Sequence, residues 1–552
     1  MALRVAVGLA CALSVVLATT VAGAAWPEPW SDDDPAGPPA RLAVGDYGFR
    51  GSAEYRAQGT YVDPLDLSNE TYYRSFWLQH RLRLDGAVDY QDTIKVTTSV
   101  DALDGVLWGD NGNLGTDPEP SNGAHVNTNN VSVSRLCMTL DSGASSVDPH
   151  SYHYGFCPAD VISVRRLYGD VVLPVGLLRV GRQAFTEGSS VAVNDGDGRR
   201  NRFGVANRGN SADRILFATK PLEAFKHKDL RDRSENNGFF VILAYDQLVI
   251  DEPQLLGFNL HEVIAAARYL APEVRGVKDV EIRLFYTYRW DGHFGTNVNA
   301  VGGRAVARFG NWFAGIDATG VLGGTAEVSD AFHLITNDPA VSQAIRQLGA
   351  RAVVRYDRPR WTAYLEGDYA SGSSDTTLQG PLTQFHFAED TNVGLLLFKQ
   401  VFAYQTAREA AAATALLNSL NAPTVPVESI ATNGALTDAF VLFPQFDLRP
   451  VDHVLLRGGV MFAWAPAAVF DPIATAQRRS AGAYQNIVVN FNGGKPGNYY
   501  GTELDARAQW RYLEHFAFDL EGAVLFPGSA LLDEDGHTVN SFLLQARTTF
   551  FF

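Results

Sequence analysis

The last residues of the chain constrain its fold more than any other stretch. From residue 541 onward the sequence alternates between an apolar face and a polar face, with Gln545 and Arg547 on the polar side. Every second residue belongs to the apolar face: Phe542, Leu544, Ala546, Thr548, Phe550 and Phe552. A repeat of two residues is that of a β-strand. A strand that ends the chain on an aromatic residue is typical of the closing strand of an outer-membrane β-barrel, and the last strand of a soluble β-sandwich is the alternative.

The same alternation recurs within the chain and favours the barrel. Residues 278–290 carry apolar side chains at the even positions from Val280 onward, and most odd positions carry Asp, Glu, Arg or Thr. Residues 502–512 repeat this pattern. In a soluble sandwich the polar face meets bulk water and is usually rich in Lys, Thr and Ser. Here it carries charges of both signs and many arginines, which suits a water-filled interior enclosed by the sheet.

These segments predict an all-β fold, a transmembrane antiparallel β-barrel of about eighteen strands that occupies residues 44–552. Short and long connections alternate, as a barrel requires when both termini lie on the periplasmic side and the long loops lie outside. The charged connection 219–236 is the one longer periplasmic turn. The strands are predicted near residues 45–58, 72–88, 91–104, 163–173, 175–183, 210–219, 237–249, 259–271, 277–290, 299–309, 311–323, 346–357, 359–371, 437–447, 453–465, 499–512, 515–526 and 540–552.

The beginning of the chain predicts export. Residues 1–24 have the form of a secretory signal peptide, with Arg4, an apolar stretch and a small-residue cleavage site. Residues 25–43, rich in Pro and Asp, predict a disordered periplasmic stub. After the leader no apolar run of about 18 residues remains, so we expect no transmembrane helix. The formal net charge of −16 argues against nucleic acid as a partner. We therefore predict a bacterial outer-membrane location.

One apolar run does not fit the strand count. Residues 393–402 could form a nineteenth strand, but an odd number would place the C-terminus outside the cell. The run continues into residues 405–420, which are rich in Ala and contain no Gly or Pro, and which therefore favour a helix. We predict a short helix in an outer loop that folds into or over the lumen. A helix packed on the rim without a gating role is the alternative.

Aromatic residues of the apolar face gather near the short turns. They are Tyr356, Trp361, Trp312, Trp510, Tyr512 and Phe516. A belt of this kind is expected where the wall meets the headgroups of the inner leaflet. The predicted partners are therefore outer-membrane lipid and, through the C-terminal Phe552, the barrel-assembly machinery.

The inward-facing charges are the candidate functional residues. A barrel of about eighteen strands leaves an aqueous channel unless loops fill it. Rows of Arg that face the channel would guide anionic solutes, and cross-strand Arg–carboxylate pairs that hold the wall together are the alternative. The predicted pore-lining residues are Arg81, Arg83, Arg283, Arg289, Arg304, Arg308, Arg351, Arg355, Arg360, Arg507, Arg511, Glu281, Glu366, Glu503 and Asp505.

Few other features of the sequence indicate chemistry. Cys137 and Cys157 remain after the leader, and in an oxidising compartment they predict a disulfide. Residues 194–198 resemble part of a calcium loop but lack its distal Glu, and Asp and Gly are also what a tight outer turn requires. No nucleotide-binding loop or metallohydrolase helix is present in the sequence. We predict no catalytic residue, metal site or cofactor, and no enzyme activity.

Three stretches carry a likeness to a known family: Leu178-Arg-Val-Gly-Arg-Gln183, Tyr364-Leu-Glu-Gly-Asp-Tyr-Ala-Ser-Gly372, and Gly501-Thr-Glu-Leu-Asp505 followed by Phe518-Asp-Leu-Glu-Gly-Ala-Val-Leu-Phe-Pro-Gly528. They resemble the strand and final-hairpin motifs of alginate-export-type outer-membrane barrels. Residues 194–197 and 392–398 resemble uncharacterised relatives of that family. From about residue 175 to the end, the resemblance implies an eighteen-stranded barrel with an Arg-lined pore and gating loops. The acidic total departs from a simple electropositive conduit for polyuronates.

These observations predict a passive outer-membrane channel, porin-like or exporter-like, for polar solutes that are anionic or saccharide-like and either small or polymeric. The alternative is a closed barrel that acts as a surface scaffold or adhesin through its long outer loops, since residues 109–160 are rich in Asn, Gly and Ser. A scaffold would lose binding when its loops are cut, whereas a channel would gain conductance.

Overall fold

The fold is described from a computed structural model. The predicted signal peptide 1–24, the stretch 194–198 and Cys157 lie outside the described residues. The structure describes residues 40–67, 75–107, 136–140, 152–156, 162–184, 191–193, 201–206, 211–227, 230–232, 234, 236–250, 260–292, 294–336, 338–419, 431–482 and 487–552.

The described part of the chain is built mainly from long antiparallel strands. They are β1 (Ala40–Val44), β2 (Tyr47–Asp63), β3 (Ser75–Tyr90), β4 (Ile94–Leu107), β5 (Leu136–Leu140), β6 (Tyr152–Phe156), β7 (Ile162–Leu173), β8 (Gly176–Ala184), β9 (Ser211–Thr219), β10 (Gly238–Ile250), β11 (His261–Val274), β12 (Val277–Trp290), β13 (Asn297–Phe309), β14 (Trp312–Thr325), β15 (Gln343–Asp357), β16 (Trp361–Ala370), β17 (Ala439–Val451), β18 (Val454–Val469), β19 (Gly497–Tyr512), β20 (Phe516–Pro527) and β21 (Ser541–Phe551).

Eighteen of these strands, β2–β4 and β7–β21, close into one barrel. Each pairs with its neighbour along the chain, and β2 closes the ring by pairing with both β3 and β21. All eighteen predicted barrel strands are present, with ends that differ by a few residues. The fold prediction is therefore confirmed. Closure leaves every strand of the wall with two neighbours, which satisfies its backbone groups without water.

The first strand was not predicted. The pairing of β21 with β2 stops at the C-terminal residue, where Ala53 N donates to Phe552 O at 2.8 Å. The beginning of β2 would therefore be an open sheet edge. The strand β1 covers that edge by pairing with residues 47–51. It begins at Ala40, so the predicted disordered stub 25–43 is wrong for residues 40–43. The small hairpin of β5 and β6, in the loop before β7, was also not predicted.

The two faces of the wall meet different surroundings. On β12 and β21, the outward side chains are the apolar sets of the sequence pattern, and Gln545 and Arg547 are buried inside. Large exposed apolar side chains of this kind occur around the barrel, while charged side chains point inward. A closed barrel with an apolar outer surface and a polar interior is the form in which strands cross the bacterial outer membrane. The chain therefore lies in that membrane.

The short connections gather at one end of the barrel, together with the C-terminus. At the β11–β12 turn, Arg275 and Gly276 have φ values of 52° and 85°, as a two-residue type I′ hairpin requires. The predicted aromatic belt is at this end: Trp312 contacts Tyr356, with ring centroids 4.7 Å apart, and Trp510 contacts Phe516 at 5.9 Å. Connections of this end are 45–46, 91–93, 174–175, 220–237, 275–276, 310–311, 358–360, 452–453 and 513–515.

The helices lie in the connections. They are α1 (Pro221–Ala224), α2 (Glu327–Thr336), α3 (Ala403–Ser419) and α4 (Pro472–Ser480), with one π-helix, Leu397–Phe402, directly before α3. The predicted loop helix is therefore present, and its first turns are wound as a π-helix. Among the described residues, no helix is both long enough and apolar enough to cross a membrane.

Candidate functional site: the lumen of the barrel

The loop between β16 and β17 enters the lumen and is anchored on Glu503 of β19. Glu503 Oε1 accepts hydrogen bonds from Leu395 N and Leu396 N at 2.7 and 2.8 Å, and Oε2 accepts one from Leu397 N at 2.6 Å. These N–H groups open the π-helix and have no earlier carbonyl to bond to. A carboxylate is a favourable partner for such a helix end. The contact fixes the start of the helical segment against the inner surface of the wall.

Behind this anchor the helical segment packs in an apolar core inside the barrel. Leu396 and Leu397 are fully buried. Phe398 and Phe402 contact the ring of Tyr500 edge to face, at centroid distances of 5.4 and 5.6 Å. The wall contributes side chains from seven strands to this core, among them Val441, Phe443, Met461, Ala463, Leu525 and Leu543. The start of this segment therefore lies inside the lumen, as one alternative of the sequence analysis predicted, and is not packed on the rim, as the other alternative had it.

A second loop, between β8 and β9, inserts beside the first. Arg202 reaches β17, where Nε donates to Gln445 Oε1 at 2.7 Å and a terminal nitrogen donates to Asp447 Oδ1 at 2.8 Å. Gly204 N donates to Glu521 Oε1 at 2.8 Å. Its φ of 71° favours glycine, and a side chain there would collide with the insert from the other loop. This segment is therefore fixed to the wall through both a side chain and its backbone.

The two inserted loops also bind each other. Asn201 Nδ2 donates to Asp390 O at 2.8 Å, and Asn392 N donates to Asn201 Oδ1 at 3.0 Å. Phe203 stacks on Phe443 of β17 with centroids 5.5 Å apart. Residues 201–206 and 388–419 together are called the plug below. The plug lies against β16–β21, which are called the covered sector.

Ion pairs of the covered sector are buried under the plug. Arg457 and Arg507 both donate to the backbone oxygen of Arg202, at 2.5 and 3.0 Å, so these wall arginines hold plug backbone rather than facing water. Of the predicted pore-lining residues, Glu366, Glu503, Asp505 and Arg507 lie here, and Arg351 of the adjacent strand β15 bonds to Glu366. The pairs are Arg351 with Glu366 and Asp368, Arg457 with Asp447, Arg507 with Asp519 and Glu521, and Arg547 with Asp519 and Glu521.

Strands β11–β15 are called the open sector. Arginines and carboxylates are bonded here too, but in a different arrangement. Glu281 is completely buried and is contacted by three arginines: Arg268 and Arg283 at 2.8 Å and Arg304 at 3.3 Å. The side chain of Arg268 remains 22% exposed, on the lumen side. Arg283, Arg304 and Glu281, which were predicted to line the pore, lie on the inner side of the wall. Arg268, Arg283 and Arg304 share the one carboxylate.

The same order of charges recurs at the outer end of these strands. Arg289 bonds to Glu262 at 2.9 Å. The carboxylate is 3% exposed and the arginine 27%. In each case the carboxylate lies against the wall and the guanidinium lies in front of it, toward the lumen. The surface offered to water here is therefore cationic.

At the periplasmic end of the open sector, two further predicted arginines flank an apolar ring. Arg308 bonds to Asp279 and Asp357, each at 2.8 Å, and Arg355 bonds to Asp357 at 3.0 Å. Both guanidinium groups lie over the ring of Phe313, 5.4 and 4.8 Å from its centroid. Both arginines are partly exposed. Their partners Asp279 and Asp357 are slightly more exposed than the arginines, so at this mouth the lumen presents charges of both signs.

The remaining predicted residues lie elsewhere. Arg81 and Arg83 of β3 point inward and are buried, with Arg81 bonded to Glu54 at 2.7 Å and Arg83 paired with Asp101 through two hydrogen bonds of 2.6 and 2.7 Å. Arg360 lies in the exposed turn 358–360.

Two predicted arginines lie near the periplasmic mouth. Arg360 bonds to Asp452 of the neighbouring turn at 2.8 Å, and both side chains are mostly exposed. Arg511 donates to Gln509 Oε1 at 3.1 Å. Arg360 therefore belongs to the rim rather than to the wall of the lumen.

Several arginines of the interior were missed by the sequence interpretation. Arg56, Arg165 and Arg214 are among them, and so are Arg268, Arg457 and Arg202. Arg268 and Arg457 lie on inward faces whose other members are mostly Ala, Leu and Gly, so that the polar face does not stand out. A strict count of every second residue along β11 and β18 could have found them. Arg202 lies in a loop, where no period indicates direction.

Helix α2 joins the open sector to the plug at the outer end. Its Phe332 packs in one apolar cluster with Ala413 and Leu417 of α3. At the start of α2, Glu327 is 3% exposed, and its Oε1 has no hydrogen-bond partner among the described residues. Burial, and next the nearby carboxylate of Asp291, raise the pKa of Glu327 to about 8.

Two predictions fall on residues that the structure leaves out. The stretch 194–198 and Cys157 are outside the described residues, and for Cys137 only its place in β5, opposite Gly155, is described. The disulfide and the calcium alternative therefore stay predictions.

No known family profile matches this chain, and no curated protein matches it. Solved structures are similar at low identity. Pseudomonas aeruginosa OccK2 (OpdF) is 7% identical, with a TM-score of 0.45 over 91% of this chain and 97% of that chain. Acinetobacter baumannii OccAB1 is 8% identical, with a TM-score of 0.48 over 95% and 99%. The outer membrane protein OpdK of Pseudomonas aeruginosa is 8% identical, with a TM-score of 0.44 over 91% and 98%. Similarity at this level carries nothing about the solute of this chain, and the likeness to alginate exporters stays a prediction.

Proposed function

We propose that this chain is a passive outer-membrane channel for small polar solutes, with a preference for anionic and saccharide-like ones. The observation that carries the proposal is the order of charges in the open sector. There the carboxylates Glu262 and Glu281 are buried, and Arg289 and Arg268 lie partly exposed in front of them. A passing solute therefore meets guanidinium groups first.

The arrangement suits weak rather than tight binding. Each exposed arginine is already paired with a carboxylate, so a solute anion competes for a guanidinium whose charge is partly neutralised. Conduction requires such weak, repeated sites, because a solute that binds tightly at one site does not leave. Planar guanidinium groups also donate to carboxylates and hydroxyls in pairs, which suits sugar acids.

The plug limits the size of the solute. It packs against the covered sector, so the proposed path follows the open sector and the neighbouring inward faces of the wall. We infer small solutes rather than a polymer for this reason. The positions of Arg268 and Arg289 in front of Glu281 and Glu262 support a track along β11 and β12. Arg308 and Arg355 lie at its periplasmic end, beside Asp279 and Asp357.

Planar bilayers test the proposal. The purified barrel should conduct, and in a KCl gradient its reversal potential should indicate preference for chloride. Replacing Arg268, Arg289, Arg308 and Arg355 together by Gln should abolish that preference. In liposome-swelling assays, a hexuronate should enter faster than expected from the rate of the corresponding neutral hexose, and the four-fold variant should remove the difference. A wild-type barrel without conductance, or one selective for cations, would contradict the proposal.

A further inference from the structure

The connection between β9 and β10 differs from the other turns of the periplasmic end. It runs over residues 220–237, whereas most of its neighbours have two or three residues. Its backbone is organised around Arg231, which donates to three carbonyl oxygens: Lys226 O at 2.9 Å, Ala224 O at 2.9 Å and Pro174 O at 2.6 Å. The described part of this connection is therefore a folded unit.

This folded unit directs large apolar side chains outward. Leu222 is 66% exposed, Phe225 91% and Leu230 72%. A segment that folds through its polar groups and leaves its largest apolar groups uncovered gains nothing from them in water. Three large apolar side chains exposed within residues 222–230 of one folded segment mark a surface that is covered by something else.

The position of the unit indicates what covers it. Arg231 bonds to Pro174, in the turn between β7 and β8, and Thr219 Oγ1 donates to Val175 O at 2.5 Å in the same turn. Leu173 and Val175, on either side of Pro174, belong to the exposed apolar surface of the barrel that meets lipid. The connection is thus fixed beside the edge of the bilayer, and its apolar side chains continue an interface that already exists.

The charges of the connection do not oppose contact with phospholipid. Lys226 bonds to Glu223 at 2.7 Å and Lys220 lies 3.4 Å from Asp232. The hydrogen bond from Lys226 and the N–H of Asp232 lower the pKa of Glu223. Among the described residues, Arg231 bonds to carbonyls only. Residues 220–237 contain one more basic than acidic side chain, although the chain as a whole carries −16.

We propose that the described residues of the connection 220–237 form an interfacial foot, which inserts Leu222, Phe225 and Leu230 into the phospholipid of the inner leaflet. A membrane is the occupant favoured by position, because the foot is attached to the barrel at the boundary of the bilayer. Lys and Arg of the foot would lie at the headgroups, as in other interfacial anchors. The proposal concerns only the membrane contact, so it stands or falls separately from conductance.

Site-specific fluorescence tests the foot in the full-length barrel. In a variant with Cys137 and Cys157 replaced by Ser, single cysteines at Phe225, Asn236 and Leu284 would carry the probe NBD. Leu284 is an outward residue of β12 and reports lipid, and Asn236 is an exposed polar residue of the same connection. Vesicles of phosphatidylethanolamine and phosphatidylglycerol provide the membrane, and spin-labelled phospholipids provide the quencher. Heat-modified electrophoretic mobility verifies that each variant is folded.

We expect the emission of the probe at 225 to shift to the blue when the refolded barrel is transferred from short polar amphipols to vesicles. A phospholipid that carries its spin label near the headgroup should quench this probe. The probe at 284 should be quenched by a label deep in the acyl chain, and the probe at 236 by neither. A probe at 225 that is quenched no more than the one at 236 would overturn the proposal. A blue shift of the probe at 225 that appears only when a soluble periplasmic protein is added would also overturn it. If the serine background does not fold, Phe225→Trp with brominated lipids gives the same comparison against Asn236→Trp.

Discussion

The covered and open sectors of the wall both contain arginine–carboxylate pairs, but the arginines have different surroundings in the two sectors. In both, arginines pair with carboxylates across neighbouring strands. In the covered sector, Arg457 and Arg507 also bond to the backbone of the plug, and both side chains are buried. In the open sector, Arg268 and Arg289 keep part of their surface in water while Glu281 and Glu262 are buried behind them.

The difference comes from the loops and not from the wall. Inward residues of both sectors follow the same two-residue period, and their charge pairs have similar lengths. What changes is whether an inserted loop covers them. A pattern of inward arginines therefore indicates a polar interior, but it does not indicate which arginines a solute can reach.

Removing the plug should change the channel more than any single substitution. Replacing residues 393–420 by a short Gly-Ser linker removes the π-helix and α3 and exposes the covered sector to water. We expect single-channel conductance in planar bilayers to rise several-fold, because ion flow scales with the free cross-section of the lumen. Unchanged conductance would mean that ions do not pass beside the plug.

A milder variant tests the same contact from the wall. Glu503→Gln removes the charge that accepts three backbone N–H groups, and its own amide hydrogens face those donors. A buried donor without a partner costs about 1–3 kcal/mol. The variant should therefore show larger conductance fluctuations than wild type. The matched change in the open sector, Glu281→Gln, should leave the fluctuations unchanged and increase the preference for anions.

Losing an arginine should lower the free energy of unfolding more in the covered sector than in the open sector. Arg457→Gln leaves Asp447 buried with less compensation, and losing one member of a buried pair costs about 3–5 kcal/mol. Arg289→Gln removes a partly exposed arginine from the buried carboxylate of Glu262, so the loss should lie between about 1 kcal/mol, as for an exposed pair, and the loss of a fully buried pair. Unfolding in urea, followed by electrophoretic mobility in lipid vesicles, measures both. Equal losses for the two variants would show that Arg289 is as structural as Arg457.

The sequence predicted the wall well because the wall is governed by one short-range rule. Alternation along β12 and β21 gave the faces, and the alternation of short and long connections gave the number of strands. The plug follows no such rule. Arg202 reaches Asp447 across 245 residues of sequence, and no local pattern specifies that distance. The same is true of Glu503, whose inward direction was predicted but whose three backbone partners were not.

Some local signals were present and were not used. Seven of the ten residues 393–402 are apolar, which indicates burial over most of the surface of this segment. The helix predicted for residues 405–420 is present over residues 405–419 and begins two residues earlier, at Ala403, but a π-helix has no distinct signature in composition. The strand β1 was hidden by the neighbouring Pro and Asp residues of the predicted stub. Its role depends on where β21 ends, which is a property of the closed barrel.

The link between the sectors at the outer end should depend on pH. The pKa of Glu327 in the folded chain is about 8, because of burial and the carboxylate of Asp291, against an ordinary value of 4.5. The folded state therefore holds this proton where the unfolded chain has lost it. The free energy of unfolding should fall as pH rises from about 4.5 to about 8, by roughly 1–4 kcal/mol.

Glu327→Gln gives the measurement for this link. The amide is neutral at every pH, so the variant should lose the pH dependence and should be more stable than wild type at pH 9. Urea unfolding at pH 5.5 and pH 9 compares the two proteins. A wild-type chain that is equally stable at both values would show that Glu327 is ionised in the folded state, and that the contact of Phe332 with the plug does not depend on it.

The smallest change in ion selectivity and stability is expected for a substitution of Arg360. This substitution tests whether any charge at the mouth sets the ion selectivity, or only the arginines of the open sector. Arg360 was predicted to line the pore, but it lies in the turn 358–360 and pairs with Asp452, which is also exposed. Exposed pairs contribute about 0–1 kcal/mol and are screened by salt. Arg360→Gln should therefore leave both the reversal potential and the unfolding free energy close to wild type, whereas Arg289→Gln should move the reversal potential toward that of an unselective pore. If Arg360→Gln moves the reversal potential as far, charge at the mouth determines selectivity, and the order of charges along the open sector does not.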